Sequence, residues 1–423
     1  VKRFFVPLLI LGLTSPAGAS DRELQKEIEE LKRKVAQLER ILNERQGKEV
    51  ELQREVSQIK EKLNAIEFGG NAVFYYQGAK LNKLNGERVR EPNGGGYVAN
   101  LELTVKAAGG ELYSRLHGGE GAGADGNGVG DSLFANLNTL ADDNPGDDTF
   151  RLLEFYYSKE FLNGKLTLYL GKTEPFILID TNEFANDEVS QFVGKPFVNN
   201  PIIDPEDRFA PMVAFNYSIS DSFSLQGVAQ SDDRGALYFD GNSWTNREKS
   251  PYDNLFDYPT LALQLTYSTN GGNYRVYLWN DRAPHPVIDQ PLNDPKRKPD
   301  AVKGYVVGLS FDQNLTDRLS LFGRAAYGRP TAYPDSQFYS LGVNLRAPFF
   351  SRPNDTFAFG TAAVLPSPFA KRKAAELHFE TYYKFEVSPN LHLTPDFQYV
   401  LNPGGNSDND PIFAGTFKME LSF

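Results

Sequence analysis

Tyr97-Val-Ala-Asn-Leu-Glu-Leu-Thr-Val-Lys106 is the stretch on which the reading of this chain turns. Tyr97, Ala99, Leu101, Leu103 and Val105 alternate with Val98, Asn100, Glu102, Thr104 and Lys106, a period of two with one apolar and one polar face. The alternation returns at Leu261, Leu263, Leu265 and Tyr267, and again at Leu377, Phe379, Thr381, Tyr383 and Phe385. Outward from these, strands are expected to begin near residues 71, 97, 111, 151, 165, 210, 222, 259, 273, 302, 318, 337, 356, 375, 391 and 412. Links after the even-numbered strands are mostly short, as at Ala108-Gly109-Gly110 and Ser388-Pro389-Asn390. Links after the odd-numbered strands are mostly longer, and several are rich in Gly, Asn, Asp and Pro, as in 119–149, 173–209, 231–257 and 282–301. An even number of strands of about ten residues, with short turns at one end and long loops at the other, is the layout of an outer-membrane barrel.

The second face decides against a soluble β-sandwich. It carries Glu102, Lys106, Arg115, Glu154, Arg275, Arg324, Glu380, Lys384, Asp396, Lys418 and Glu420, too much charge for a dry interior, so it is expected to be wet. Tyrosines at strand ends, among them Tyr97, Tyr157, Tyr217, Tyr267, Tyr327 and Tyr399, suit interfacial girdles. In the last strand Phe413, Phe417, Met419, Leu421 and Phe423 alternate up to the carboxylate, resembling the C-terminal signal read by the outer-membrane assembly machinery. Sixteen strands leave room for an aqueous channel, where eight leave room only for side chains.

The segments before the barrel read differently. Lys2 and Arg3, the apolar run Phe4 to Leu13, and Ala17 and Ala19 as the small residues of a cleavage site predict a signal peptide over residues 1–19. From residue 20 to 67 the composition turns to Glu, Lys, Arg, Gln and Leu without Pro. Ile28, Val35, Leu42, Val56 and Leu63 fall at a, and Leu24, Leu31, Leu38, Leu52, Ile59 and Ile66 at d, of one unbroken heptad register. So narrow a seam has nothing to bury against in one helix, so self-association is expected, and a homotrimer is the expected state. Arg45, Gly47 and Glu49 weaken its middle. Residues 68–423 are expected to form the barrel, and their 31 basic and 43 acidic residues account for the chain's net charge of -11.

Composition removes other classes. There is no Cys, which excludes thiolate metal sites and thiol nucleophiles, and the negative charge argues against nucleic acid. After residue 13 no apolar run approaches the eighteen or so residues a membrane helix needs. No nucleophile motif accompanies His117, His285, His378 or His392, so no enzyme and no cofactor are expected. The acidic loop 137–149 lacks the EF-hand spacing and so reads as a solvated loop, with Ca²⁺ binding through its carboxylates left open.

The third long loop carries a resemblance. Leu170-Gly-Lys-Thr-Glu-Pro-Phe-Ile-Leu-Ile-Asp180-Thr-Asn-Glu-Phe-Ala-Asn-Asp-Glu-Val-Ser-Gln-Phe192, followed by Val198-Asn199-Asn200-Pro201, resembles the signature segment of the carbohydrate-selective porins, the OprB-type family. The resemblance implies a barrel admitting sugars and other small hydrophilic solutes, with the third loop folded inward to narrow it. Sugar hydroxyls need acceptors and amides, for which Asp180, Asn182, Asp187, Glu188 and Gln191 are the candidates, with Arg115, Arg275 and Arg324 as wall donors. Tyr113, Tyr277 or Trp279 would offer stacking surfaces. The alternative is that the loop's polar residues cap its turns and pair with wall arginines to pin it. A porin preceded by a coil also resembles the envelope-tethered porins of some diderm bacteria. Two functions therefore stand side by side: a diffusion pore in the bacterial outer membrane, surrounded by its lipid, and a structural anchor whose periplasmic coil spaces the envelope, with contact to peptidoglycan left open.

Overall fold

The computed structural model describes residues 21–90, 92–126, 128–141, 148–203, 208–241, 243–288, 298–349 and 351–423. The expected signal peptide lies outside them. Two compact units divide between residues 65 and 66.

The first unit is helix α1 (Asp21–Asn64), which runs unbroken through Gly47. Leu24, Ile28, Leu31, Val35, Leu38 and Leu42 are all exposed along it, so the apolar seam lies bare in the single chain. Ile66, the last position of the heptad reading, belongs to the first strand.

The second unit is a closed antiparallel barrel, built among the described residues from sixteen strands. They are β1 (Ile66–Lys80), β2 (Asn93–Ala107), β3 (Gly110–Glu120), β4 (Phe150–Phe161), β5 (Leu166–Thr173), β6 (Ala210–Ser218), β7 (Phe223–Gln230) and β8 (Thr260–Thr269). There follow β9 (Gly272–Pro286), β10 (Ala301–Asn314), β11 (Leu319–Gly328), β12 (Asp335–Arg346), β13 (Thr356–Pro366), β14 (Glu376–Ser388), β15 (Leu391–Leu401) and β16 (Ile412–Ser422). Each strand pairs with its neighbours in sequence, and β1 pairs with β16 from Asn71↔Ser422 to Lys80↔Phe413, so no edge remains. The short links are tight. Ala108 and Gly109 join β2 to β3 with φ of 51° and 73°, as a two-residue type I′ hairpin requires.

The pleat sorts the side chains. On β16 Ile412, Ala414, Thr416, Lys418 and Glu420 turn inward and are buried, whereas Phe413, Phe417 and Leu421 are exposed on the outside. Near the short-turn end the outward rings of Phe223, Tyr267, Tyr274 and Phe311 meet in succession at 4.8, 6.3 and 6.3 Å, a belt of the kind that sits at the lipid–water boundary.

Two loops re-enter the barrel. Phe176, Ile179, Phe184, Phe192 and Phe197 of the loop between β5 and β6, hereafter loop 3, form one buried cluster with the inward Tyr277, Trp279, Phe322, Phe338 and Tyr382. The expectation of a wholly wet interior thus needs correction: over β8 to β14 the inner wall is covered by apolar packing. The loop between β3 and β4, loop 2, also folds in. Gln77 of β1 and Gln398 of β15 donate to the Leu137 carbonyl at 3.2 and 2.8 Å, and the Phe134 and Ala135 N–H groups donate to Glu376 at 3.0 Å. Asp142, Asp143 and Asp147, the heart of the open Ca²⁺ reading, lie outside the described residues.

Candidate pore constriction

Loop 3 presents its own carbonyls and N–H groups to the wall, and the wall's charged residues take them up. Arg324 on β11 lies 3.1 Å from the Asp180 carboxylate and donates to the carbonyls of Asp180, Phe197 and Val198 and to Asn186 Oδ1 at 3.1–3.2 Å. Four acceptors and a carboxylate gathered around one guanidinium use its planar, multi-donor fork. Asp180 in turn accepts from the Asn200 N–H at 3.0 Å and donates its own N–H to Gln264 at 2.9 Å. Burial pushes its carboxyl up from the ordinary value, against the lowering effect of Arg324 and the Asn200 N–H.

The other ties run round the barrel. Glu380 on β14 accepts the Val193 and Gly194 N–H groups at 2.7 and 3.0 Å. Lys418 on β16 donates to the Glu188 and Gln191 carbonyls at 2.7 and 2.8 Å. Buried charges are tolerated here because each is hydrogen-bonded to backbone that would otherwise be orphaned. Loop 2 joins in, since the Thr139 N–H donates to the Val193 carbonyl at 2.9 Å and the Lys195 N–H to that of Asn136 at 3.2 Å.

The eight residues singled out from sequence separate into two groups. Asp180, Asn182, Arg275 and Arg324 are buried, with Asp180 at 0% and Arg324 at 3% exposure, and no solute reaches them in this arrangement. Asn182 donates to the Phe311 carbonyl at 2.9 Å, and Arg275 pairs with Asp312 of the neighbouring strand at 2.5 Å. Gln191 is a turn clamp: its Oε1 accepts from the Asn186 N–H at 2.8 Å and its Nε2 donates to the Glu183 carbonyl at 2.9 Å. For Asp180, Asn182, Gln191 and Arg324 the pinning alternative describes the geometry, while Arg275 is paired within the wall. Tyr277 and Trp279 are likewise covered, Trp279 stacking on Phe176 at 5.9 Å and Tyr277 accepting from Asn200 at 2.8 Å, so neither offers a stacking face.

Arg115, Asp187 and Glu188 are brought together. They line a cavity of about 300 Å³ between the free edge of loop 3 and the wall of β3 and β4, together with Glu154, Glu174 and Lys195. Arg115 pairs with Glu154 at 2.9 Å across the β3–β4 ladder. Asp187 accepts from the Val189 N–H at 3.0 Å and the Ser190 hydroxyl at 2.5 Å, so it caps its own turn while facing the cavity. Sequence reasoning placed Glu154 on the inward face but not in the site. Its partnership with Arg115 depends on the register of β3 against β4, which are joined by a long loop whose length alternation does not translate into a pairing.

A closed barrel of sixteen strands, with a wall-pinned loop folded inside it and a polar gap beside that loop, has the architecture of a porin-type barrel. Residues 95–423 match the family model of the carbohydrate-selective porins, OprB, and the chain belongs to that family. Among solved structures it resembles Pseudomonas putida OprB in its high-pH structure, with a TM-score of 0.70 and 16% identity over 87% of this chain and 96% of that one. Among curated relatives it is 24% identical to porin AaxA of Chlamydia trachomatis over 263 residues, 59% of this chain and 50% of that protein. It is 29% identical to the uncharacterized protein alr4550 of Nostoc over 121 residues, 27% of this chain and 21% of the relative. The chain thus spans half or less of these two relatives' length. Family and fold make the barrel a bacterial outer-membrane protein.

Proposed function

We propose that the chain is a passive diffusion pore for small hydrophilic solutes, sugars among them, and that the edge of loop 3 opposite Arg115 and Glu154 is its constriction. The observation that carries this reading is the polar gap of about 300 Å³ left between the edge of loop 3 and the barrel wall. Carboxylates accept from sugar hydroxyls and a guanidinium donates to them, so Asp187, Glu188 and Arg115 can replace the water a sugar sheds on passing. Proteoliposomes carrying the protein should swell in glucose and not in a large oligosaccharide of equal osmolality. Equal swelling in both would place the narrowest point elsewhere, and none in either would end the reading.

A second role is supported by the bare seam of α1. A helix of 44 residues extends roughly 66 Å at 1.5 Å per residue, and its leucines and isoleucines have no cover in one chain. In this reading three copies pair their seams as a periplasmic homotrimeric coil, which spaces the membrane from the cell wall and can reach peptidoglycan. Cross-linking in mild detergent should trap trimers of the full chain, and removing residues 21–64 should abolish them while the barrel stays folded, because its strands close on themselves. Trimers that survive the deletion would move the interface to the barrel.

A further inference from the structure

The wall that loops 2 and 3 leave uncovered carries three tyrosines on successive strands: Tyr113 on β3, Tyr156 on β4 and Tyr169 on β5. Tyr113 shares the inward face with Arg115, and Tyr156 shares it with Glu154; Tyr113 and Tyr156 are direct partners in the ladder. Their rings meet 5.1 Å apart at 36°, and Tyr156 meets Tyr169 at 6.1 Å and 59°. All three are half-buried, in contrast to the covered Tyr277 and Trp279 on the far wall.

Local backbone makes the strip continuous. Gly171, the ladder partner of Tyr156, has φ of 154°, and a Cβ there would lie 2.4 Å from the Tyr156 Cα and 2.7 Å from its Cβ. Position 171 is thus closed to any side chain, and with none facing it the Tyr156 ring meets Tyr169, two residues earlier on β5.

The strip also has a place on the path. It lies two residues from the Arg115–Glu154 pair toward the short-turn end, and Tyr169 lines a cavity of about 640 Å³ there, with Lys106, Glu111 and Glu160. A solute leaving the constriction therefore passes over aromatic faces before reaching the charged mouth. A pyranose suits this sequence: one face of its ring is all C–H, and its hydroxyls stand out at the rim where charged groups wait. An aromatic face carries partial negative charge and attracts such C–H groups.

We infer that Tyr113, Tyr156 and Tyr169 form a stacking strip that favours ring sugars with an apolar C–H face over open-chain polyols of the same size. The inference rests on the diffusion-pore reading and adds the solute's shape to it. With the full chain in planar bilayers, glucose should block single-channel current more strongly than sorbitol, an open-chain polyol with the same number of carbons. Tyr156→Leu keeps an apolar side chain without the ring and should weaken glucose block roughly two- to tenfold, leaving sorbitol unchanged. Tyr156→Phe, which keeps the face and loses the hydroxyl, should retain the preference. Equal block by the two solutes in the wild type, or an unchanged preference in Tyr156→Leu, would overturn the strip while leaving the pore intact. A wild-type channel that passes neither solute would instead remove the pore reading on which it rests.

Discussion

Replacing Arg324 by alanine should raise single-channel conductance and enlarge the solute cutoff. The side chain serves four loop-3 acceptors and the Asp180 carboxylate at once, all but Asn186 fully buried. Removing one partner of a buried ion pair costs about 3–5 kcal/mol, and about 3 kcal/mol alone moves the balance between docked and released loop by more than roughly a hundredfold. The apolar cluster around Phe192 and Phe197 opposes release, so a partly open, noisy channel is the expected phenotype, with Arg324→Lys intermediate because it keeps the charge without the fork. The variant should also depend on pH. With Arg324 gone, burial outweighs the remaining lowering effect of the Asn200 N–H and raises the Asp180 carboxyl further, so the docked loop prefers the neutral acid. Docking is then fullest below the ordinary carboxyl value of 3.8 and is lost as pH climbs through the raised one, so acidification should bring conductance back toward wild type. Unchanged conductance at neutral pH would show that the loop does not set the bore.

The second large effect is on ion preference. Glu154, Glu174, Asp187 and Glu188 face the constriction against Arg115 and Lys195, so the gap holds an acidic excess and should favour cations at low salt. The double change Asp187→Asn and Glu188→Gln balances the two signs and should bring the reversal potential under a salt gradient close to zero. Asparagine keeps Oδ1 for the Val189 N–H, and its amide can donate to the Ser190 oxygen where the second carboxylate oxygen had accepted, so the turn survives and charge is what is tested. Wild type and variant should converge near 1 M salt, where the Debye length is about 3 Å. A wild-type channel preferring anions at low salt would contradict the assignment.

Most strands were legible because alternation reports which face a residue occupies. The two misplaced starts have a physical cause: β1 and β2 begin at Ile66 and Asn93, and Gly69, Gly70 and Gly94 to Gly96 near those ends have no side chains to alternate. Face, however, says nothing about cover. Arg275, Arg324, Tyr277 and Trp279 were rightly turned inward, but whether they meet water or loop 3 depends on where a loop of more than thirty residues lies down, and no local period encodes that. The apolar residues of loop 3 did show that it needed a surface. Loop 2 carried less apolar content, and alongside the packing of Val129 and Leu137 its docking uses the Leu137 carbonyl and the Phe134 N–H, backbone groups that every sequence possesses.

The seam between β1 and β16 bears on how the pore is made. Gln77 on the first strand and Lys418 on the last both grip re-entrant loops, and their strands come together only when the barrel closes. Bore and enclosure are therefore acquired in one event. A chain halted before β16 lacks both a sealed wall and the lysine that holds the edge of loop 3. Maturation of the channel is thus tied to the docking of β16, and no half-built intermediate combines an intact wall with an unset gap.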